Sequence, residues 1–249
     1  MSINPPSQAK LGHNSTPIRV LEQIPLFHGL SEAELVRIGA GLTSVRLPGR
    51  AMLITEVHWS DQFSILIKGA VKVQIEQPNG SSVVVTVLGS GQVLSELSHV
   101  DGLRCAVTIE TLEPSVLLSM SVGHYQHLLH TIPTLSANVM HQLTQRLCLA
   151  NQQIMALATF GAEGRVAAQI HALAAAYAQP GATGLREIPF RLTQITLAAL
   201  TGLSRVRVNQ VLQRFHAEQI IGLDPQYHLR LYDDAALIAY AAAPRIPTH

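Results

Sequence analysis

The chain has 249 residues, 47% hydrophobic and only 13% charged, which is enough apolar material for one large or two modest cores and too much for intrinsic disorder. No apolar run reaches the roughly 18 to 20 residues of a membrane helix, because Lys, Glu, His or Gln interrupts every candidate. A net charge of +1 names no partner, and two distant cysteines, Cys105 and Cys148, without a CxxC spacing, exclude a disulfide scaffold and a cysteine zinc cluster.

The first 17 residues, MSINPPSQAKLGHNSTP, lack the apolar core of a secretory signal, read as a loose polar tail, and point to the cytoplasm. SEAELVRIGAGL then opens with a Ser able to cap a helix and a Glu three residues later able to answer it, so a short helix is expected. From Val45 to about Met120, short Val/Ile/Leu-rich runs are separated by turn clusters: PG at 48 and 49, PNGSS at 78 to 82, GSGQ at 89 to 92. This is compact antiparallel β structure, barrel or sandwich. KVQIEQPNGSSVVVTV reads as one of its hairpins.

The texture changes near residue 133. Thr134 to about Phe160 contains no Gly or Pro and places Leu143, Leu147, Ala150, Ile154 and Leu157 at alternating spacings of four and three. That is the a/d seam of a two-stranded coiled coil, so a homodimer is expected; a helix packed on its own domain is the alternative. Gly161 and Gly164 are expected to break this helix, GRVAAQIHALAAAYAQ to start another, PGATG at 180 to 184 to end it, and REIPFRL to form a strand.

The segment from 192 to 221, LTQITLAALTGLSRVRVNQVLQRFHAEQII, carries the chemistry. Thr193 can cap a helix to about Leu200, Gly202 permits the positive φ of a tight turn, and Ser204 can cap a second helix to about Gln219. Two capped helices around a glycine turn make a helix-turn-helix. Ile195, Ala199, Leu200, Leu203, Val208, Val211 and Leu212 are expected to face the core. Arg205, Val206, Asn209, Gln210 and Gln213 form the opposite stripe of the second helix, suited to base edges because Arg reads guanine while Asn and Gln read adenine by paired hydrogen bonds. From Thr193 to Phe215 stand Arg205, Arg207 and Arg214 and no acid, the mark of a polyanionic partner. IIGLDPQYHLRLYDD follows as a β-hairpin like the wing of a winged helix, with Arg230 placed for a phosphate. An all-α interaction module is the competing reading of this segment.

The order of β block, long helix and winged helix-turn-helix, together with GLSRVRVNQVL, resembles the Crp/Fnr superfamily of bacterial transcription regulators over roughly residues 20 to 240. The resemblance implies an α+β fold: an antiparallel β-roll of the double-stranded β-helix or jelly-roll type as sensor over 18–132, a dimerisation helix over 133–160 and a winged helix-turn-helix DNA-binding domain over 161–249. It implies that Thr193 and Gln194 contact phosphates and that Arg205, Val206 and Gln210 hold the main base-reading positions. Ser204, Arg207, Asn209 and Arg214 complete the expected DNA-binding set. Relatives commonly carry Glu at the place of Val206 and Arg at that of Gln210, so a different operator is implied, with Gln210 suiting adenine. A dimer would set its recognition helices about 34 to 36 Å apart on a pseudo-palindromic duplex. RNA polymerase is a further partner if the protein activates.

The family's β-roll holds a cyclic nucleotide, and the matching stretch here is GSGQVLSELSHVDGLRCAV. By that resemblance Ser95, Glu96, Leu97, Arg104 and Cys105 form the pocket, Glu96 for the ribose and Arg104 for the phosphate, as carboxylate and guanidinium chemistry suit. Ser95 stands where glycine is usual, and Cys105 where a hydroxyl is usual, a weaker donor. Ala150 and Asn151 stand where the long helix supplies adenine-binding hydroxyls. Cyclic AMP or another cyclic nucleotide is therefore one expectation, and a structural Glu96–Arg104 pair in a pocket without a nucleotide is the other. His124, His127 and His130 recur every third residue, walk around a helix and are expected to be solvated rather than to hold a metal. There is no Walker lysine loop, GxSxG, HExxH or plausible triad order, so no enzyme is expected.

Overall fold

The computed structural model describes residues 18–54, 62–76, 82–94, 107–181, 184–224 and 228–242. The chain divides into two compact units between Thr144 and Gln145.

The first unit opens with α1 (Ile18–Glu22), a 3-10 turn at Pro25–Phe27 and α2 (Glu32–Gly41). The expected capping box is present: Glu34 N donates to Ser31 Oγ at 3.4 Å, and Ser31 N donates to the Glu34 carboxylate at 2.7 Å. Donation from Ser31 Oγ first, and from Ser31 N second, holds the Glu34 carboxyl below the usual carboxylate range. Seven strands follow among the described residues: β1 (Thr43–Leu47), β2 (Met52–Ile54), β3 (Gln62–Lys68), β4 (Val71–Glu76), β5 (Ser82–Leu88), β6 (Val107–Thr111) and β7 (Ser115–Ser121). They pair antiparallel as two sheets, β1-β7-β3 and β2-β6-β4-β5. β4 and β5 are the expected hairpin, paired from Val71 opposite Leu88 to Glu76 opposite Ser82 with a register shift between Val73 and Gln74. Its turn, 77–81, lies outside the described residues.

The two sheets face each other across Leu47, Leu53, Leu66, Val71, Val73, Leu88, Ile109 and Leu117. On its other side the β1-β7-β3 sheet packs Phe63, Ile65, Leu118 and Met120 against Leu21, Leu35, Ile38, Tyr125, Leu128 and Leu135 of the helices. β3 is consequently buried at four successive positions, 63 to 66, instead of alternating. The polar member of that run, Ser64, shares a 2.7 Å hydrogen bond with Ser119 across the strand pair, which satisfies two buried hydroxyls at once. The tight turn from β3 to β4 requires Gly69, which has φ +98° and lies so close to Ser115 that a side chain would collide with it. After β7 come α3 (Val122–Thr131), capped by Ser121, and α4 (Pro133–Thr159), within which the two units divide.

The second unit takes the C-terminal part of α4, then α5 (Ala162–Tyr177), β8 (Gln179–Pro180), β9 (Arg186–Arg191), α6 (Gln194–Thr201), α7 (Arg205–Ala217), β10 (Ile221–Leu223), β11 (His228–Leu231) and α8 (Asp234–Ala242). The strands form one antiparallel sheet, β10-β11-β9-β8. The alanine-rich α5 is the hub, packed against α6, α7, α8 and β9. Gly164 does not break a helix as expected. It lies within α5, where an added Cβ would sit 3.1 Å from Tyr240 O and 3.0 Å from Phe160 Cβ, so it allows α8 to approach closely. α8 was not anticipated; its start is signalled only by Asp233, whose carboxylate accepts from Ala236 N at 2.9 Å.

Among the described residues no helix is long and apolar enough to cross a membrane. On α4 the expected seam residues Leu143, Leu147, Ala150, Ile154 and Leu157 are all exposed in the single chain.

Candidate nucleic-acid interface

α6 and α7 are built as their sequence caps prescribe. Thr196 N donates to Thr193 Oγ1 at 3.1 Å to start α6, and Arg207 N donates to Ser204 Oγ at 3.2 Å to start α7. Between them Gly202 closes α6 in the left-handed region at φ +64°, with Leu203 N donating to Ala198 O. α7 buries Val208, Val211 and Phe215 on one face and carries no acid along its length.

The face opposite that core presents Arg205, Val206, Gln210 and Gln213, all exposed, with Asn209 half-buried beside α6. Val206 is 69% exposed, an apolar side chain turned to solvent in the single chain. Two expected core residues are corrected. Ile195 is 63% exposed and Ala199 is exposed, because α6 turns Thr196, Leu197, Ala198, Leu200 and Thr201 inward instead. On so apolar a helix, composition could not say which stripe is buried.

The predicted contact residues are joined to one another. Gln194 Nε2 donates to Asn209 Oδ1 at 2.7 Å, and Arg205 Nε approaches Gln194 Oε1 at 3.5 Å. Arg207 Nη1 donates to Gln210 Oε1 at 3.2 Å. Thr193 caps α6 and Ser204 caps α7, and both are exposed.

Arg214, another residue of the expected DNA-binding set, is engaged within the protein. Its guanidinium donates to Glu218 and to Glu163, each at 2.8 Å, and lies 5.6 Å from the centre of the Tyr240 ring. The bonds to Glu218 and then Glu163 raise the guanidinium pKa further above its ordinary value. In turn Arg214, and then Tyr240, hold the Glu218 carboxyl below the usual carboxylate range, while burial first and the Glu218 bond second push the Tyr240 phenol up. This cluster ties α7 to α5 and α8. Arg230 Nε donates to Glu187 at 2.5 Å across the β11–β9 pair. The hairpin of β10 and β11 is present, in register from Ile221 opposite Leu231 to Leu223 opposite Leu229, and its turn at 225–227 lies outside the described residues.

Sequence reasoning missed Arg165 and Gln153. Arg165 Nη2 donates to Leu157 O at 2.8 Å, Nε to Phe160 O at 3.0 Å and Nη1 to Thr201 O at 3.4 Å. Gln153 Nε2 donates to Leu200 O at 3.2 Å. The last carbonyls of α4 and α6, which a helix leaves unpaired, are thus satisfied by α5 and α4 side chains beside the Gly202 turn. Backbone carbonyls leave no trace in residue identity, so no motif announces such a bond.

Of the expected effector residues, Ser95, Glu96, Leu97, Arg104 and Cys105 lie outside the described residues. Asn151 is exposed on α4. His127 and His130 are exposed as expected, while His124 is half-buried: its ring covers Gly41, and its Nε2 is buried without a hydrogen-bond partner. Among the described residues there is no cluster of His, Cys, Asp and Glu able to hold a metal ion.

Comparison with known proteins adds a family to this geometry. Residues 44–131 match the cyclic nucleotide-binding domain family, and residues 164–240 the Crp-like helix-turn-helix domain family. The chain is similar to a CRP-like cAMP-activated global transcriptional regulator of Mycobacterium tuberculosis, at 26% identity over 196 residues, 79% of this chain and 87% of that one. It is similar also to a cyclic AMP receptor protein of Thermus thermophilus, at 27% identity over 202 residues, 81% of this chain and 89% of that one. The solved structure of FixK2 from Bradyrhizobium japonicum shares the fold, with a TM-score of 0.68 at 15% identity, covering 81% of this chain and 98% of that one.

Proposed function

The chain belongs to the Crp/Fnr superfamily of transcription regulators, and from that premise we propose that it binds duplex DNA as a homodimer in the cytoplasm, α7 of each protomer lying in a major groove. The observation that carries this reading is the acid-free outward face of α7, with Arg205, Val206, Asn209 and Gln210 set opposite a buried Val208–Val211–Phe215 stripe. Arg205, Val206, Asn209 and Gln210 reach base edges; Thr193, Gln194, Ser204 and Arg207 serve the phosphates and the capping of the two helices. No chemical step is assigned to the protein.

The exposed seam of α4 supplies the dimer contact, over residues 133–160 of the proposed domain division. Residues 18–132 serve as the sensor. Its ligand is a cyclic nucleotide, a reading supported by the family match over 44–131 and by carboxylate and guanidinium chemistry at Glu96 and Arg104. Ligand binding shifts the packing of the α4 pair, and with it the DNA-binding units, by as much as the ligand prefers one arrangement.

Duplex binding by the purified protein tests the first proposal. Affinity falls steeply with salt, as phosphate neutralisation requires, and Arg205→Ala together with Gln210→Ala removes sequence preference. Binding that survives both replacements with its preference intact refutes it. Calorimetric titration with cyclic AMP and cyclic GMP, with Arg104→Ala as control, tests the second; no heat and no change in melting temperature or operator affinity leaves a regulator gated otherwise.

A further inference from the structure

We propose that Gln153 and Arg165 are positioning residues that hold each helix-turn-helix to the dimer seam, so that the protein measures the spacing between two half-sites as well as reading their sequence. The proposal rests on the dimeric DNA-binding reading of α4 and α7 and adds what fixes the two reading helices in space. It begins at the end of α6. Ala198 O accepts from the backbone of the Gly202 turn, at Gly202 N and Leu203 N. A helix leaves its other last carbonyls without backbone partners, and those of Leu200 and Thr201 are taken by side chains from outside the helix-turn-helix. Gln153 Nε2 of α4 donates to Leu200 O at 3.2 Å, and Arg165 Nη1 of α5 donates to Thr201 O at 3.4 Å.

Both donors stand at the seam end of α4. Gln153 is next to Ile154 and one turn before Leu157, the last two residues of the exposed seam. Arg165 donates also to Leu157 O at 2.8 Å and Phe160 O at 3.0 Å, which puts one guanidinium at the C-terminal ends of α4 and α6 together. A cation there meets the negative end of both helix dipoles. Leu157 adds its side chain to the junction: a Cβ on Gly202 would lie 3.6 Å from Leu157 Cδ2 and 3.8 Å from Arg165 Nη1. From the seam to the turn that opens α7 the path is therefore a helix, two side chains and backbone carbonyls, with no flexible link. Ser204, two residues beyond Gly202, caps α7. In a dimer closed on Ile154 and Leu157, the two α7 helices then keep one separation and one twist. Adding a base pair between half-sites moves one of them by about 3.4 Å and turns it by about 35°, a displacement that a rigid pair cannot follow with both helices.

The test takes the duplex that the full-length protein selects from a randomised library, with versions whose half-sites stand one base pair closer or farther apart and a version carrying a single half-site. The wild type is expected to bind the altered spacings at least about tenfold more weakly than the selected one. Gln153→Met keeps the length of the side chain but cannot donate, and should narrow that ratio to about threefold or less while half-site affinity stays within about twofold. Gln153→Lys, which again offers the carbonyl a donor, should return the ratio toward that of the wild type. Arg165→Ala removes three bonds and should narrow the ratio further; where it does not fold, the two Gln153 variants decide. A Gln153→Met protein that keeps the wild-type ratio overturns the proposal. So does one that loses half-site and full-site affinity by one common factor, since Gln153 would then shape α7 itself. A wild type indifferent to spacing overturns the proposal while leaving DNA reading intact. Absence of any enriched sequence overturns this proposal and the DNA-reading function together.

Discussion

Replacing Arg165 by alanine should loosen the end of α4 from the helix-turn-helix, and the structure sets the size of the effect. The guanidinium makes two well-formed bonds, to Leu157 O at 2.8 Å and Phe160 O at 3.0 Å, and a long one to Thr201 O at 3.4 Å. Hydrogen bonds from a charged donor contribute about 1.5 to 3 kcal/mol each when well made. Holding an arginine still costs about 2 kcal/mol of rotamer freedom, incurred once for all three bonds. The net loss from the two well-formed bonds is therefore about 1 to 4 kcal/mol. In a unit the size of Gln145–His249 this lowers the melting temperature by about 10 °C, read by scanning calorimetry of the full-length protein. Arg165→Lys should recover less than half of it, since an ammonium group is a point donor that cannot fork across three carbonyls. An alanine variant melting within about 2 °C of the wild type, or a lysine variant equal to the wild type, refutes the reasoning.

Gln219 closes α7 in the left-handed region at φ +55°, with its N–H donating to His216 O and that of Ile220 to Phe215 O, a geometry that glycine adopts without strain. Gln219→Gly should stabilise by about 0.5 to 1 kcal/mol in urea unfolding, while Gly202→Ala, at φ +64° with room for a Cβ 3.6 Å from Leu157, should destabilise by about 1 kcal/mol. Leu147→Glu combined with Ile154→Glu places charges on the exposed seam and should give a folded monomer in sedimentation equilibrium; a persistent dimer places the interface elsewhere. The folded-state pKa of Glu218 is lowered, so its stabilising effect is present above the usual carboxylate range and disappears as pH falls through its depressed value. Glu218→Gln should accordingly melt below the wild type at neutral pH and converge with it in acid; a gap that persists in acid shows that Arg214 does not act through this carboxylate.

Much of the local architecture is legible from residue order alone. Ser31 with Glu34, Thr193, Gly202 and Ser204 act on backbone groups within a few positions, so their effect is encoded where they stand. The Val/Ile/Leu-rich strand runs between turn clusters and the a/d spacing of α4 are likewise written in residue order. Tertiary packing decided the rest. Ile195 and Ala199 lie outside because α5 and α7 claimed other stripes of a helix apolar on several sides. Arg214 and Arg230 pair with Glu163, Glu218 and Glu187, carboxylates brought to them by packing from other elements or the helix end. Arg165 found its partners in backbone carbonyls, which every sequence possesses. Caps and periods are short-range and read directly; which charge meets which partner depends on distances that exist only once the chain has folded.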